Sequence, residues 1–211
     1  EISCSLVGSE MCIRDRRYYD DYVKSEKYVG DTSFTHFSNV FHQISGMTWG
    51  IVGLGNIGRR VADIAKAFGC HVVYYSTSGR NSQPGYERVD FDTLLATSDI
   101  VSVHAPLTDD TLGLMDKAAF EKMKKSAIFL NLGRGPIVNE ADLAQALMDG
   151  ELAAAGLDVL AQEPMSEDNP LRAIKDSNKL IITPHIAWAS VEARTNLMHI
   201  IYSQIEDFFA N

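Results

Sequence analysis

Cysteine is scarce in this sequence: 211 residues contain three, at positions 4, 12 and 70. The number is odd and no CxxC occurs, so the chain offers neither a disulfide framework nor a zinc ribbon. The six histidines, at 36, 42, 71, 104, 185 and 199, lack metal-ligand spacing, and no metal site is expected. No apolar run approaches the roughly 18 residues a membrane helix needs, so no membrane partner is expected. Positive charge is in deficit, 19 Lys and Arg against 28 Asp and Glu, for a net −9 at pH 7. A surface of that sign repels phosphate backbones, which argues against nucleic acid as the main partner. What is present is ordinary globular composition, 45% hydrophobic and 22% charged. That is enough for a sizeable core in one or two domains and is incompatible with disorder throughout.

The first sixteen residues, EISCSLVGSEMCIRDR, stand apart from the rest. They have no helix or strand period and neither the charged start nor the continuous apolar stretch of a secretion signal. They read like translated adapter sequence, with a genuine disordered arm as the other reading, and they are set aside as residues 1–16. Without a signal, the cytoplasm is the expected location. Residues 17–45 read as a linker: 17–27 is aromatic and charged and predicts a short helix. An irregular connection over 30–45 follows, with Phe34, Phe37, Val40 and Phe41 as possible anchors.

Regular alternation begins at residue 46 and runs to 189. Apolar, β-branched segments at 48–54, 71–75, 99–104, 127–132, 153–159 and 180–183 predict strands. Helical spacing predicts helices over 57–68, 91–96, 117–124 and 140–148, with Asn139 as an N-cap and Gly69 and Gly150 as stops. A long final helix over 190–209 begins the C-terminal segment 190–211. Strands alternating with helices imply right-handed βαβ units, hence an α/β, doubly wound parallel sheet of the Rossmann type.

Gly53-Leu54-Gly55-Asn56-Ile57-Gly58 fits G-x-G-x-x-G, and it sits where that pattern has meaning, between a predicted strand and a predicted helix. Gly53 permits the tight turn, Gly55 lets the backbone approach a pyrophosphate, and Gly58 lets helix and strand pack closely. The N–H groups of Asn56 and Ile57 then face the phosphates at the helix N-terminus. A dinucleotide is therefore the expected cofactor. The end of the second strand, where an acid would hold the adenosine ribose, reads Tyr75-Ser76-Thr77-Ser78-Gly79-Arg80. With no carboxylate to repel a 2′-phosphate, NADP(H) is as open as NAD(H), and Ser76, Thr77 and Arg80 are candidate contacts. They could equally be solvated loop residues.

Further segments carry a family resemblance. They are Ser45-Gly46-Met47-Thr48-Trp49-Gly50-Ile51-Val52-Gly53-Leu54-Gly55, Asp99-Ile100-Val101-Ser102-Val103-His104-Ala105-Pro106-Leu107-Thr108 and Asn131-Leu132-Gly133-Arg134-Gly135-Pro136-Ile137-Val138. Gly156-Leu157-Asp158-Val159-Leu160-Ala161-Gln162-Glu163-Pro164 and Thr183-Pro184-His185-Ile186-Ala187-Trp188-Ala189-Ser190 complete the set. In this order they resemble the D-isomer-specific 2-hydroxyacid dehydrogenases, from about Tyr18 to the C-terminus. The resemblance implies hydride transfer between NAD(P)H and a small 2-keto or 2-hydroxy acid, with Arg134, Glu163 and His185 as the catalytic set. It also implies Pro106, Thr111, Leu132 and Arg134 along the nicotinamide, and Asp158 on its carboxamide. Each catalytic candidate falls at or beyond a strand's carboxyl end, where open α/β sheets bind ligands. A histidine exchanges protons near neutrality, a carboxylate can orient its ring, and an arginine fork suits a substrate carboxylate. Taken singly, each has an ordinary structural explanation as a packed histidine, a surface turn or a loop acid. His104 reads as a structural strand-end histidine.

Members of this family have two lobes, and nearly all of the first is missing from this sequence. The chain is accordingly expected to be a truncated product that binds dinucleotide with little turnover, its final helix returning toward that lobe. Trp188 resembles the glycerate dehydrogenase (hydroxypyruvate reductase) branch more than the phosphoglycerate or D-lactate branches. That gives hydroxypyruvate to D-glycerate as the expected reaction and glyoxylate as the second choice. Dinucleotide-sensing corepressors share the fold and supply a binding-module alternative. Formate or phosphite oxidation is a weaker enzymatic one. The resemblance also implies a homodimer through the cofactor domain.

Overall fold

The β-branched and aromatic segments pair as the alternation requires. The structure is a computed structural model that describes residues 15–36, 38, 42–80 and 82–210, with side chains from Tyr18. Helix α1 spans Asp15–Lys24. The domain then runs β1 (Thr48–Val52), α2 (Asn56–Ala67), β2 (His71–Tyr75), β3 (Glu87–Arg88), α3 (Phe91–Thr97), β4 (Ile100–Val103) and α4 (Lys117–Lys122). It continues through β5 (Ile128–Asn131), α5 (Glu140–Asp149), β6 (Ala154–Leu157), β7 (Leu180–Ile182) and α6 (Val191–Ala210). All pairs are parallel, in the order β3-β2-β1-β4-β5-β6-β7. The order reverses direction between β1 and β4, which is where such sheets open a crevice for ligands.

Alternate residues of each strand point to opposite faces. Val52, Val101, Val103 and Phe129 pack with Leu94 and Leu95 of α3, Phe120 of α4 and Leu143 and Leu147 of α5. Trp49, Ile51, Val72 and Tyr74 pack with Val61, Ala62 and Ala65 of α2 on the other face. Asn139 caps α5 by accepting from Ala141 N and Asp142 N, and Gly150 ends it in the left-handed region at φ 73°.

Several expectations are corrected. Five of the six predicted strands end earlier than the apolar pattern suggests, at 52, 103, 131, 157 and 182, because the next residues turn away to build loops. Strand β3 was not foreseen. Its two exposed charged residues carry no apolar signal and are held by pairing with Val73 and Tyr74. Short 3-10 turns at Gly135–Ile137 and Pro170–Ala173 were also missed. Helix α1 begins at Asp15, two residues inside the segment set aside, while residues 1–14 lie outside the described residues. Phe34 is no anchor, being 92% exposed, and Phe37, Val40 and Phe41 lie outside the described residues.

Candidate active site

Because every strand is parallel, the loops after β1, β4, β5, β6 and β7 all leave the same edge of the sheet. The loop after β7 is the most constrained. His185 occupies the left-handed region at φ 54°, a conformation that costs a side-chain-bearing residue of order 1–3 kcal/mol and persists only where its surroundings enforce it. Here they do. Its N–H donates to the carbonyls of Asp158 and Thr183, both at 2.9 Å. The carboxylate of Asp158, 4% exposed, accepts from Ile186 N and Ala187 N, each at 2.9 Å, and from the Thr183 hydroxyl.

So held, the His185 ring places Nδ1 2.7 Å from Glu163 Oε2. The other oxygen, Oε1, accepts from Leu160 N at 2.8 Å. The bond from His185, then that from the Leu160 amide, hold the Glu163 carboxyl below the usual carboxylate range, and the charge of Arg134 adds to them. A carboxylate against Nδ1 keeps the proton on that nitrogen and leaves Nε2 as the ring atom for proton exchange. The pair is not sealed: the two side chains are 40% and 36% exposed.

Arg134 follows β5. Asn131, fully buried, clamps its turn by donating to Arg134 O at 3.0 Å and accepting from Gly133 N at 3.1 Å. Gly135 brings this turn directly onto the loop after β6, where a Cβ would lie 1.9 Å from the carbonyl carbon and oxygen of Leu160. The absence of that one methyl group is what lets the Arg134 and Glu163 loops meet. Arg134 itself is exposed, with Nη1 donating to Gly133 O at 2.8 Å.

The glycine-rich turn after β1 fits a dinucleotide. Gly53 sits at φ 92°, and a Cβ there would meet the Ala105 backbone at 2.8 Å. A Cβ on Gly58 would meet Gly53 O at 2.3 Å, so helix and turn are in van der Waals contact. Gly55 is different: a Cβ there would meet nothing within 4 Å. It is not needed for packing, and the space beside it is open. As the N-cap of α2 it supplies no side-chain acceptor, and the first turn carries no acid. Asn56 and Ile57 are exposed. This is the arrangement in which a helix N-terminus accepts a phosphate. At the end of β2, Ser76 is 3% exposed, Thr77 half-buried and Arg80 exposed.

Two residues expected along the nicotinamide also have partners within the protein. Thr111 is 1% exposed, and its hydroxyl donates to Pro106 O at 2.7 Å and accepts from Thr108 N at 2.8 Å. It braces the loop that presents the exposed Pro106. Asp158 turns both carboxylate oxygens to the 183–187 turn, so its visible work is to hold His185. Leu132 is half-buried at the end of β5. Sequence reasoning missed the bracing role of Asn131, for which only its place before Gly133 gave a hint. It also missed the buried chain in which Trp49 Nε1 donates to Ser102 Oγ at 2.9 Å and Ser102 lies 3.1 Å from His104 Nε2. His104 Nδ1 is buried with no partner, and burial pushes this ring's pKa down to about 4. Among the described residues, no group of acids, histidines and cysteines could hold a metal ion, and no helix is long and apolar enough to cross a membrane.

Residues 10–187 match the model of the D-isomer specific 2-hydroxyacid dehydrogenase, NAD binding domain. The chain belongs to that family. The match begins inside the segment that sequence reasoning set aside. A hydroxypyruvate reductase from Blautia hydrogenotrophica is 37% identical over 196 residues, covering 90% of this chain and 59% of the relative. A D-3-phosphoglycerate dehydrogenase from Archaeoglobus fulgidus is 45% identical over 166 residues, covering 77% of this chain and 31% of the relative. Among solved structures, the NAD complexed form of a D-isomer specific 2-hydroxyacid dehydrogenase from Lactobacillus delbrueckii ssp. bulgaricus superposes with a TM-score of 0.78 at 29% identity. It covers 96% of this chain and 64% of that one. The chain thus spans about three-fifths of the length of the first of these relatives.

Proposed function

We propose that the site is that of an oxidoreductase reducing a small 2-keto acid to the 2-hydroxy acid, with NADH or NADPH supplying hydride. The observation that carries this reading is the His185 Nδ1–Glu163 Oε2 contact of 2.7 Å, beside Arg134, at the edge of the sheet that also bears the open turn at Gly55. In the reduction, protonated His185 gives its Nε2 proton to the substrate oxygen as carbon is reduced. Glu163 fixes the tautomer at Nδ1 and stabilises the ring while it is charged. Arg134 holds the substrate carboxylate with its donor fork and steadies negative charge on the neighbouring oxygen. Gly53, Gly55, Asn56, Ile57 and Gly58 take the pyrophosphate. Ser76, Thr77 and Arg80 serve the adenosine end, where no acid bars a 2′-phosphate.

For the substrate we favour hydroxypyruvate, then glyoxylate. Trp188 stands three residues after His185 and is 49% exposed, and an indole near that histidine favours a small substrate. The similarity to a hydroxypyruvate reductase supports the same choice. A homodimer through the cofactor domain and a cytoplasmic location complete the reading, and sedimentation of the purified chain tests the first. The activity test is NADH and NADPH oxidation with hydroxypyruvate, glyoxylate, phosphohydroxypyruvate and pyruvate. It is run on this chain and on the chain joined to the substrate lobe of the Blautia relative. Preference for hydroxypyruvate, lost in His185→Gln, supports the reading. Turnover indifferent to His185→Gln refutes it.

A further inference from the structure

Glu140 opens helix α5, yet it is not used to cap it. Asn139 already accepts from Ala141 N and Asp142 N. The Glu140 side chain instead crosses to the loop after β6. Its Oε1 accepts from Ala161 N at 2.6 Å and its Oε2 from Asn169 Nδ2 at 2.7 Å. Asn169 is 7% exposed, and its own oxygen accepts from Leu171 N at 2.9 Å, so both ends of the excursion from Ala161 to Asn169 are tied to one carboxylate. The peptide between Leu160 and Ala161 is the junction. The Leu160 amide donates to Glu163 Oε1, the next amide donates to Glu140, and Gly135 packs against the carbonyl between them.

We propose that Glu140 is a positioning residue for the Glu163–His185 pair. Resting on the function proposed above, it acts by fixing the Leu160–Ala161 peptide, which restrains the adjoining peptide whose Leu160 N–H is one of the two donors to Glu163. Remove the Glu140 carboxylate and Ala161 N loses its acceptor. The Leu160–Ala161 peptide is then free to turn, the neighbouring Leu160 N–H loses that restraint, and Glu163 meets His185 from a loosened loop. A misplacement of about 1 Å in such a site is enough to cost on the order of a hundredfold in rate.

The test uses the 211-residue chain and needs no turnover. The Glu163 carboxyl is followed by carbon NMR through a pH titration, its resonance assigned by its disappearance in Glu163→Gln. In Glu140→Ala the Glu163 midpoint rises toward the ordinary value of about 4.3. Exchange of the Ala161 amide accelerates at least about tenfold, equivalent to about 1.4 kcal/mol of lost protection. NADH affinity stays within about twofold, because the glycine-rich turn lies on another strand. Glu140→Gln keeps an oxygen for Ala161 N but turns a donor toward Asn169 Nδ2, so it moves the Glu163 midpoint by less than Glu140→Ala does. Asn169→Ser keeps an oxygen for Leu171 N but drops the donor to Oε2, so it moves Glu163 upward by less, and it decides the matter if Glu140→Ala does not fold. A Glu163 midpoint unmoved in Asn169→Ser and Glu140→Ala overturns the proposal, as does a Glu140→Gln shift as large as that of Glu140→Ala. A chain that passes these tests but reduces no keto acid even when joined to the substrate lobe overturns the proposed function alone.

Discussion

Replacing Gly135 by alanine adds one methyl group at the point where two site loops touch. The Cβ would lie 1.9 Å from the carbonyl carbon and oxygen of Leu160 and 2.4 Å from Ala161 N. Non-bonded heavy atoms settle near 3.5 Å, so the loops must separate by about 1.6 Å at this point. All three clashing atoms belong to the backbone, and no side chain can rotate to absorb the overlap. The Arg134 turn cannot yield easily either, because Asn131 clamps it from within the core. Overpacking of this kind costs 1–3 kcal/mol, and about 3 kcal/mol is expected here. For a chain of this size that lowers Tm by about 6–12 °C. Calorimetry or urea unfolding measures the stability change. Dinucleotide affinity, measured in parallel by fluorescence titration, changes by less than about threefold because the glycine-rich turn is untouched. A Gly135→Ala chain within about 0.5 kcal/mol of the parent would mean that the Arg134 and Glu163 loops are not in contact as described.

Gly55→Ala should do the reverse: its Cβ meets nothing within 4 Å, so stability stays within about 0.5 kcal/mol, while dinucleotide affinity falls at least about tenfold, about 1.4 kcal/mol, by calorimetric titration. Asp158→Asn places an amide where Ile186 N, Ala187 N and the Thr183 hydroxyl now donate. It leaves at least one donor facing an N–H, so a loss of about 1–3 kcal/mol is expected in urea unfolding. The buried His104 gives a pH signature. Its folded-state pKa of about 4 lies below the ordinary 6.5, so the unfolded chain takes up a proton first as pH falls. Stability is full above about 6.5 and declines between there and about 4, by about 3 kcal/mol at most. His104→Gln should flatten that part of the curve. Glu163, whose carboxyl is held low by His185 and Leu160 N, contributes stability that is present above its unfolded value of about 4.3 and lost as pH falls through its lower folded one. Glu163→Gln should remove that acid limb.

Much of this molecule can be read from the sequence because local and tertiary demands coincide in its centre. Strand His71–Tyr75 is one apolar run with Gly69 before it, and it forms with the same bounds. Asn139 and Gly150 bracket α5 because side-chain capping and a left-handed glycine are local devices. The candidates Arg134, Glu163 and His185 came from the family resemblance, with which their place at strand ends agreed, and the structure brings Glu163 against His185. The remainder depends on distant partners. Strand β3 exists only because β2 offers it a free edge. That the Thr111 hydroxyl closes on Pro106 O is equally invisible in the sequence. Asp158 and Glu140 serve residues up to 29 positions away, and no local pattern announces such reach. The apolar residues of α6, among them Phe208 and Phe209 at 78% and 81% exposure, follow a helical pattern without telling what they face.

Calorimetric titration of the chain with NADH and NADPH, repeated with Gly55→Ala, tests the central claim most directly, that the open turn after β1 serves the Arg134–Glu163–His185 site. One dinucleotide bound per chain, weakened at least about tenfold by the added methyl group, is the predicted result. No binding of either dinucleotide, or binding that ignores the methyl group at Gly55, would contradict it.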